Sequence, residues 1–554
     1  MNITRYFSSV ALAVGLVAGC GGGGGGGSGS GTGVGTPATP PAIVTQPVSL
    51  SVPAGMPAVF SVTATGDAPL SYQWKRDGVT IAGAAAAAYT VAATATSDNG
   101  ATFVVEVSNA AGTLSSAVAT LSVTTTSKAW GPAVMLSTGD LHGTAIGPQV
   151  AIDTAGNAIG VWQESLGSAI RTAVWARRYV AGTGWGAATT IDGSVGASAL
   201  PQLAMAPDGV AVASFLHGSQ DGSTRMIANR FDGAAWGGGL RLDLLDGVID
   251  ADHCLAIAPN GAAALVFNQS DNVAGRRATA ALSTTAGAWA GPEVIGDAGS
   301  QAPQVAIAAN GDAVMVWLVG DTGTTSSLWA SRRSGPFWSA PVRVVPSVKG
   351  MASPRLRVDA AGNAIAVWVE RPTPRNEVHA ARFTASSGTW NSPSMLNDVD
   401  AQAYEPELAM TAGGDTIVVW TQANDAGQVT GIAARRYLAA TAAWSGAMHV
   451  QPTGASGGSL PRVVLDAASN AIAVWLQGAV GDATRLEVWA AAFDAQDAHW
   501  ALPTKLMTDP TAHIDGGESQ APRIALNAGG DAVVAWVQRS DASPEPSVWA
   551  RVYR

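Results

Sequence analysis

Cysteine is nearly absent: the chain has two in 554 residues, Cys20 and Cys254. A disulfide framework is thereby excluded. Charge is scarce as well. Only 13% of residues are Asp, Glu, Lys or Arg, the net charge is −10, and no long basic run occurs. That balance argues against a nucleic-acid or anionic-membrane surface. The apolar run near residue 10 is too short to span a bilayer. From residue 146 onward no helical periodicity is visible. Motifs for metals and phosphates are missing too. The seven histidines are scattered, none pairs with a Glu at i, i+4, and GGGGGGGSGSG neither follows a strand nor opens a helix. No cofactor and no metal is expected. What is plentiful is glycine at 66, hydrophobic residues at 47% and tryptophan at 19, so large apolar cores can form.

The opening segment MNITRYFSSVALAVGLVAGC has Arg5 in a short n-region, an apolar run and small residues before Cys20. It resembles a bacterial lipoprotein signal over residues 1–19, with Val17-Ala18-Gly19-Cys20 as the lipobox. The resemblance implies a diacylglycerol thioether on Cys20 and an acylated amine. Such a multi-chain anchor holds far more firmly than one acyl chain. The implied location is the cell envelope, at the outer membrane, with the periplasmic and surface faces both open. Cys254 would remain as the lone thiol; in DHCLAIAP it reads as a small buried hydrophobe. Residues 20–40 are rich in Gly, Ser and Pro and read as a flexible tether with a reach of about 25 Å.

Residues 41–125 read as short strands between turn signals, among them AVFSVTATG, LSYQWKRDG and ATFVVEVSNAAGT. The stretch resembles an immunoglobulin-like domain. Trp74 stands where that family packs its inter-sheet core, Phe103 replaces the corner tyrosine, and Val62 and Val105 stand at the two cysteine positions. The resemblance implies a sandwich without its usual disulfide, held by packing around Trp74 and acting as a spacer.

One pattern then recurs eight times. PQVAIDTAGNAIGVWQE ends its apolar run at Trp162, and equivalents follow at Phe215, Phe267, Trp317, Trp368, Trp420, Trp475 and Trp536. The spacings are 53, 52, 50, 51, 52, 55 and 61 residues, a period that marks a repeat architecture. Each copy reads as four strands: QVAID, a Gly-bearing turn, the doubly apolar AIGVWQE, then VWARRYV, then a strand opening with Trp such as WGAATTI. Strands apolar on both faces must be covered on both faces. The fold class is therefore all-β, with residues 128–554 forming an eight-bladed β-propeller of four-stranded blades. The last copy, SVWARVYR, has three strands, and the matching fourth, WGPAVML, lies ahead of the first copy at Trp130–Leu136. It is expected to complete the last blade and close the ring. The period resembles that of kelch repeats, without their Gly-Gly pair. The D-x-x-G-N turn resembles the Asp-box of sialidase-like propellers, although the distance from Asp153 through Gly156 to Trp162 is longer than that box allows.

The residue after the strand-one proline is Gln149, Gln202, Gln304, Arg355, Glu407, Arg462 or Arg523, with Cys254 at the equivalent place in the third copy. These side chains are expected to ring the mouth of a central channel. Variable polar loops between strands two and three, such as ERPTPRNE, are expected on the same face, where binding commonly lives. Arg355, Arg462 and Arg523 around Glu407 suit an anionic or polyhydroxylated ligand. A second row, Arg178, Arg230, Arg332, Arg382 and Arg436, is expected to pack on neighbouring aromatics or lie solvated. The function expected is binding of a glycan or protein by a lipid-anchored monomer that does not contact nucleic acid. The alternatives are a sialidase-like glycoside hydrolase and a scaffold in an envelope assembly.

Overall fold

The computed structural model describes residues 38–554 except 54–56, 93, 125–127, 139–143, 166–170, 194–195, 219–222, 245–247, 272–274, 322–323, 373–374, 452–456, 480–481 and 541–542. The lipobox, Cys20 and most of the tether therefore lie outside the described residues. The chain divides into two compact units, the larger containing Ser122–Arg554. Among the described residues, strands dominate and the two helical turns are single 3-10 turns.

Ahead of residue 125, the strands Leu50–Pro53, Ala119–Thr124, Thr102–Asn109, Ser71–Arg76 and Val79–Thr80 pair in that order. Two further strand pairs join Ala42–Thr45 to Thr63–Thr65 and Ala58–Ser61 to Ala88–Val91. Trp74 is fully buried, and its indole Nε1 donates to the Ala86 carbonyl at 2.9 Å. Phe60 stacks on Phe103 with ring centroids 4.3 Å apart, and Val62 and Val105 are buried beside them. Aromatic and aliphatic packing thus fills this core.

Among the described residues of the remainder, eight antiparallel sheets, numbered one to eight along the chain, stand in a β-propeller-like arrangement. Their first strands are Ala145–Ile152, Ala197–Met205, Val248–Ile257, Ser300–Ile307, Ala352–Val358, Gln402–Met410, Gly458–Leu465 and Arg523–Leu526. Each first strand packs beside that of the next sheet, and the eighth packs beside the first. The second strands are apolar on both faces because both faces are covered. Trp162 packs on Val533, Ala535 and Val537 of sheet eight, whereas Ile159 and Val161 pack on Ala213 and Phe215 of sheet two. The tryptophans at 162, 317, 368, 420, 475 and 536 are all completely buried at such interfaces. Several satisfy their indole N–H two residues along the same strand: Trp162 donates to Glu164 at 2.7 Å and Trp368 to Glu370 at 2.9 Å.

Sheet eight takes its outermost strand from far upstream. Val134 and Met135 pair with Ala550 and Trp549, Gly131 N donates to Val552 O at 2.9 Å, and Leu136 N donates to Val548 O at 2.7 Å. The ring of Trp130 lies 5.1 Å from that of Tyr553, repeating the pairing of Tyr179 with Trp185, Phe383 with Trp390 and Tyr437 with Trp444. The stretch singled out from its Trp and its apolar end therefore occupies the fourth-strand position of sheet eight.

Two strand expectations are corrected. The fourth strand is not continuous: in sheet one Gly184–Trp185 and Thr189–Thr190 pair separately with the third strand. Proline follows the Trp in several copies, as at Pro341, Pro393 and Pro503, and has no N–H to give to a ladder. In sheets one, two, four, five, six and seven the first strand, expected to open at QVAID and its equivalents, begins upstream of the proline and carries a bulge there. In sheet one the register shifts between Ile146 and Gln149.

Candidate arginine-glutamate site

The bulge sets the geometry of the inner strands. Proline cannot donate, so the ladder is interrupted beside it and resumes one step later. In six of the eight sheets the residue two places before the ring position takes a left-handed φ: Gly147 at +63°, Leu200 at +55°, Ala302 at +45°, Ser353 at +51°, Glu405 at +53° and Leu460 at +51°. All eight ring positions nevertheless share one register. Gln149 pairs with Val161, Gln202 with Ser214, Cys254 with Val266 and Gln304 with Val316. Arg355 pairs with Val367, Glu407 with Val419, Arg462 with Val474 and Arg523 with Ala535. Every partner immediately precedes the large aromatic of its second strand. Seven ring positions thus lie within their first strands, not at the strand openings expected for a channel mouth, whereas Arg523 opens the first strand of sheet eight.

The structure brings the charged members together. Arg355 Nε donates to Glu407 Oε2 at 3.1 Å, and Arg357 and Arg462 stand 3.5 and 3.9 Å from the same carboxylate. Arg462 Nη2 donates to Glu518 Oε1, and Arg523 Nη2 donates to that oxygen at 3.1 Å. Four guanidiniums therefore face two carboxylates, which leaves two positive charges. Glu407 and Arg462 are nearly inaccessible. Burial opposes ionisation of Glu407, but Arg355, Arg462 and Arg357 outweigh it and hold the carboxyl at about 2. Arg462 goes the other way. Burial and the neighbouring Arg523 push it down to about 10 despite the pull of Glu518 and Glu407. Its Nε is buried without an acceptor among the described residues. The positive charge of Arg462 is therefore under-compensated where it lies.

Arg357 and Glu518 were missed in the sequence reading. Arg357 was legible there: it is two residues beyond Arg355 on the same strand, hence on the same face, where the other copies carry Ala or Val. Glu518 comes from an irregularity. In sheet one the chain passes from Ile146 to Gln149 opposite Gln163 to Val161. In sheet eight it passes from His513 to Arg523 opposite Arg539 to Ala535, ten residues against four. The excess forms a detour with a 3-10 turn at Glu518–Gln520, and it accounts for the long final spacing.

Of the neutral members, Cys254 lies within electrostatic reach of Arg357, Arg355 and Glu407. Gln304 Nε2 donates to its own strand at Pro303 O, 3.0 Å away. Cys254 is half-buried, its Sγ is 3.8 Å from Val305 O, and burial pushes the thiol up, which makes it unreactive. The loops between second and third strands fall partly outside the described residues. The second row of arginines is structural. Arg178 lies over Phe231 at 5.4 Å, Arg332 over Phe383 at 5.8 Å, Arg382 over Tyr437 at 5.8 Å and Arg436 over Phe493 at 4.9 Å, each reaching the next sheet. Sheet three offers Ser283 in place of the aromatic, and there Arg230 donates to the carbonyls of Gly261 and Thr285. The D-x-x-G-N turn is structural too. Asp359 accepts from the Asn363 backbone and side chain, both at 2.8 Å, while Asn363 Oδ1 accepts from Ala385 N and so ties in the turn after strand three.

No protein-family model and no curated protein matches the chain. Among solved structures, the chain is similar to a polysaccharide lyase at 10% identity, covering 68% of this chain and 93% of that one with a TM-score of 0.40. It is similar to a GH93 α-L-arabinofuranosidase of Fusarium graminearum at 12% identity, covering 55% and 92% with a TM-score of 0.34. A Hadza microbial sialidase shows 13% identity, 59% and 72% coverage and a TM-score of 0.32. At such identities and scores these likenesses carry no argument about activity.

Proposed function

We propose that the chain is a lipid-anchored binding protein of the cell envelope whose inner-strand arginine cluster receives an acidic glycan. In this reading Cys20 carries the lipid at the outer membrane, residues 20–40 are the tether, residues 41–125 an immunoglobulin-like spacer and residues 128–554 an eight-bladed propeller. The buried aromatic core around Trp74 supports the spacer. The eight sheets, whose first strands neighbour one another in a circle, support the propeller.

One observation carries the binding role: the cluster holds two positive charges beyond its own carboxylates, one of them on the buried Arg462. A purely structural ion network has no need of that excess, which costs solvation. A ligand carboxylate would neutralise it through charge-assisted hydrogen bonds. The same register also carries Gln149, Gln202 and Gln304, amides that both donate to and accept from hydroxyls. Carboxylate recognition on one side and hydroxyl recognition on the other describe an acidic sugar better than a peptide.

The test is a screen of the full chain against neutral and uronate-containing oligosaccharides, run beside Arg523→Gln and the double variant Arg462→Gln, Arg523→Gln. Retention of uronate-containing sugars alone, lost in both variants while circular dichroism is unchanged, supports the reading. Equal binding by the variants, or capture of neutral sugars only, contradicts it.

A further inference from the structure

We infer that Glu518 is a built-in, displaceable stand-in for the ligand: its carboxylate occupies the place on Arg462 and Arg523 that a uronate carboxylate takes when it binds. The inference rests on the acidic-glycan reading and adds to it a chemical identity for the anion and a self-blocking contact.

The two carboxylates of the cluster are held in different ways. Glu407 lies inside the first strand of sheet six, just past its bulge, is paired in register with Val419, and faces three guanidiniums. Nothing short of unfolding sheet six would remove it. Glu518 sits on the detour that replaces the upstream half of the first strand of sheet eight. Two glycines, Gly516 at φ +97° and Gly517 at φ +95°, lead into its turn, a conformation that side-chain-bearing residues rarely adopt. The Glu518 side chain is 55% exposed, although it contacts Arg462, whose side chain is 7% exposed. It is therefore an accessible group plugged onto an inaccessible one.

The contact is also incomplete. Both guanidiniums donate to the same oxygen, Oε1, in place of a fork across two oxygens. Nε of Arg462 is left without an acceptor. A carboxylate free of the detour can approach as a two-point partner and reach donors that Glu518 does not. Because Glu518 already fits, the anion is a planar carboxylate in preference to a tetrahedral sulfate. The detour is held at its ends by the buried Ile514 and Ala521, so displacement needs only the exposed Glu518 side chain to leave Arg462 and Arg523. Positioned in this way, Glu518 lowers affinity for weak or neutral ligands and demands a ligand that brings its own negative charge.

Calorimetric titration of the full chain with sodium glucuronate, with glucose and sulfate as comparison probes, tests the inference. Wild type, Glu518→Ala and Glu518→Gln are compared, each checked by thermal melting. If Glu518 fills the site nine-tenths of the time, its removal tightens glucuronate binding about ten-fold, with sulfate gaining less and glucose nothing. Glucuronate binding to wild type that is unchanged or weaker in both variants overturns the stand-in while leaving the arginine site intact. Absence of glucuronate binding in all three proteins removes the acidic-glycan reading itself. If Glu518→Ala fails to melt cooperatively, the near-isosteric Glu518→Gln decides.

Discussion

Trp130 and Tyr553 lie with their rings 5.1 Å apart and their backbones bridged, although 423 positions separate them in the chain. The pair joins the strand ahead of sheet one to the last strand of sheet eight, and it has the geometry that Tyr179 and Trp185 have within sheet one. The displaced strand is thus held by the same kind of aromatic contact that sheets one, two, five, six and seven make internally.

Deleting residues 128–137 is expected to strip Leu136, only 1% exposed, from the interface between sheets eight and one. Leu136→Ala alone is expected to cost about 2–5 kcal/mol, as a buried leucine truncation does. Urea denaturation of the variant checks this. Restoring residues 128–137 through a short linker after Arg554 is expected to recover the midpoint that the deletion loses.

Glu407 predicts an acid-sensitive term. Its carboxyl is held at about 2 against an ordinary value near 4.5, so ionisation favours the folded state. That contribution is fully present above about 4.5 and is lost as pH falls toward 2; its size is on the order of 3 kcal/mol. Chemical denaturation at a series of pH values should show this slope in wild type and not in Glu407→Gln. At neutral pH the same variant should lose about 3–5 kcal/mol, because three guanidiniums are left facing a neutral amide.

The staples between sheets predict a coupling energy. Arg436 stands 4.9 Å over Phe493. A double-mutant cycle with Arg436→Ala and Phe493→Leu is expected to give about 0.5–2 kcal/mol of favourable coupling. Arg382 with Phe493, which the structure does not place in contact, serves as the control and is expected to give none.

The proposed anchor predicts fractionation behaviour. Cys20→Ser is expected to move the protein to the soluble fraction or to leave it with its signal uncleaved. A variant processed and membrane-bound like the wild type would contradict lipidation at Cys20.

Much of this architecture was legible because each repeat writes its own register. The proline marks the bulge, the next residue faces inward, and the aromatic at the end of strand two fixes the pairing opposite it. The bulge itself was hidden, since Leu200, Ser353 and Leu460 take left-handed φ values with no glycine to announce them. Only tertiary pairing on either side of the proline enforces that conformation. Arg357 was readable by alternation. Glu518 was not, because it belongs to a detour that follows no repeat, and only the folded chain brings it to Arg462 and Arg523. Even so, the spacing of 61 residues against 50–55 elsewhere marked where the pattern breaks. Pairing of Arg462 with two carboxylates, one from the next sheet's detour, was beyond any reading of a single copy.

The proposed carboxylate site at the guanidiniums of Arg462 and Arg523 is tested by an anomalous difference map from crystals of the Glu518→Ala chain soaked in bromoacetate. A bromine peak is expected beside those two guanidiniums, absent from crystals of Arg462→Gln, Arg523→Gln treated in the same way. Peaks confined to the loops between second and third strands, or a map with no peak near Arg462, would contradict it.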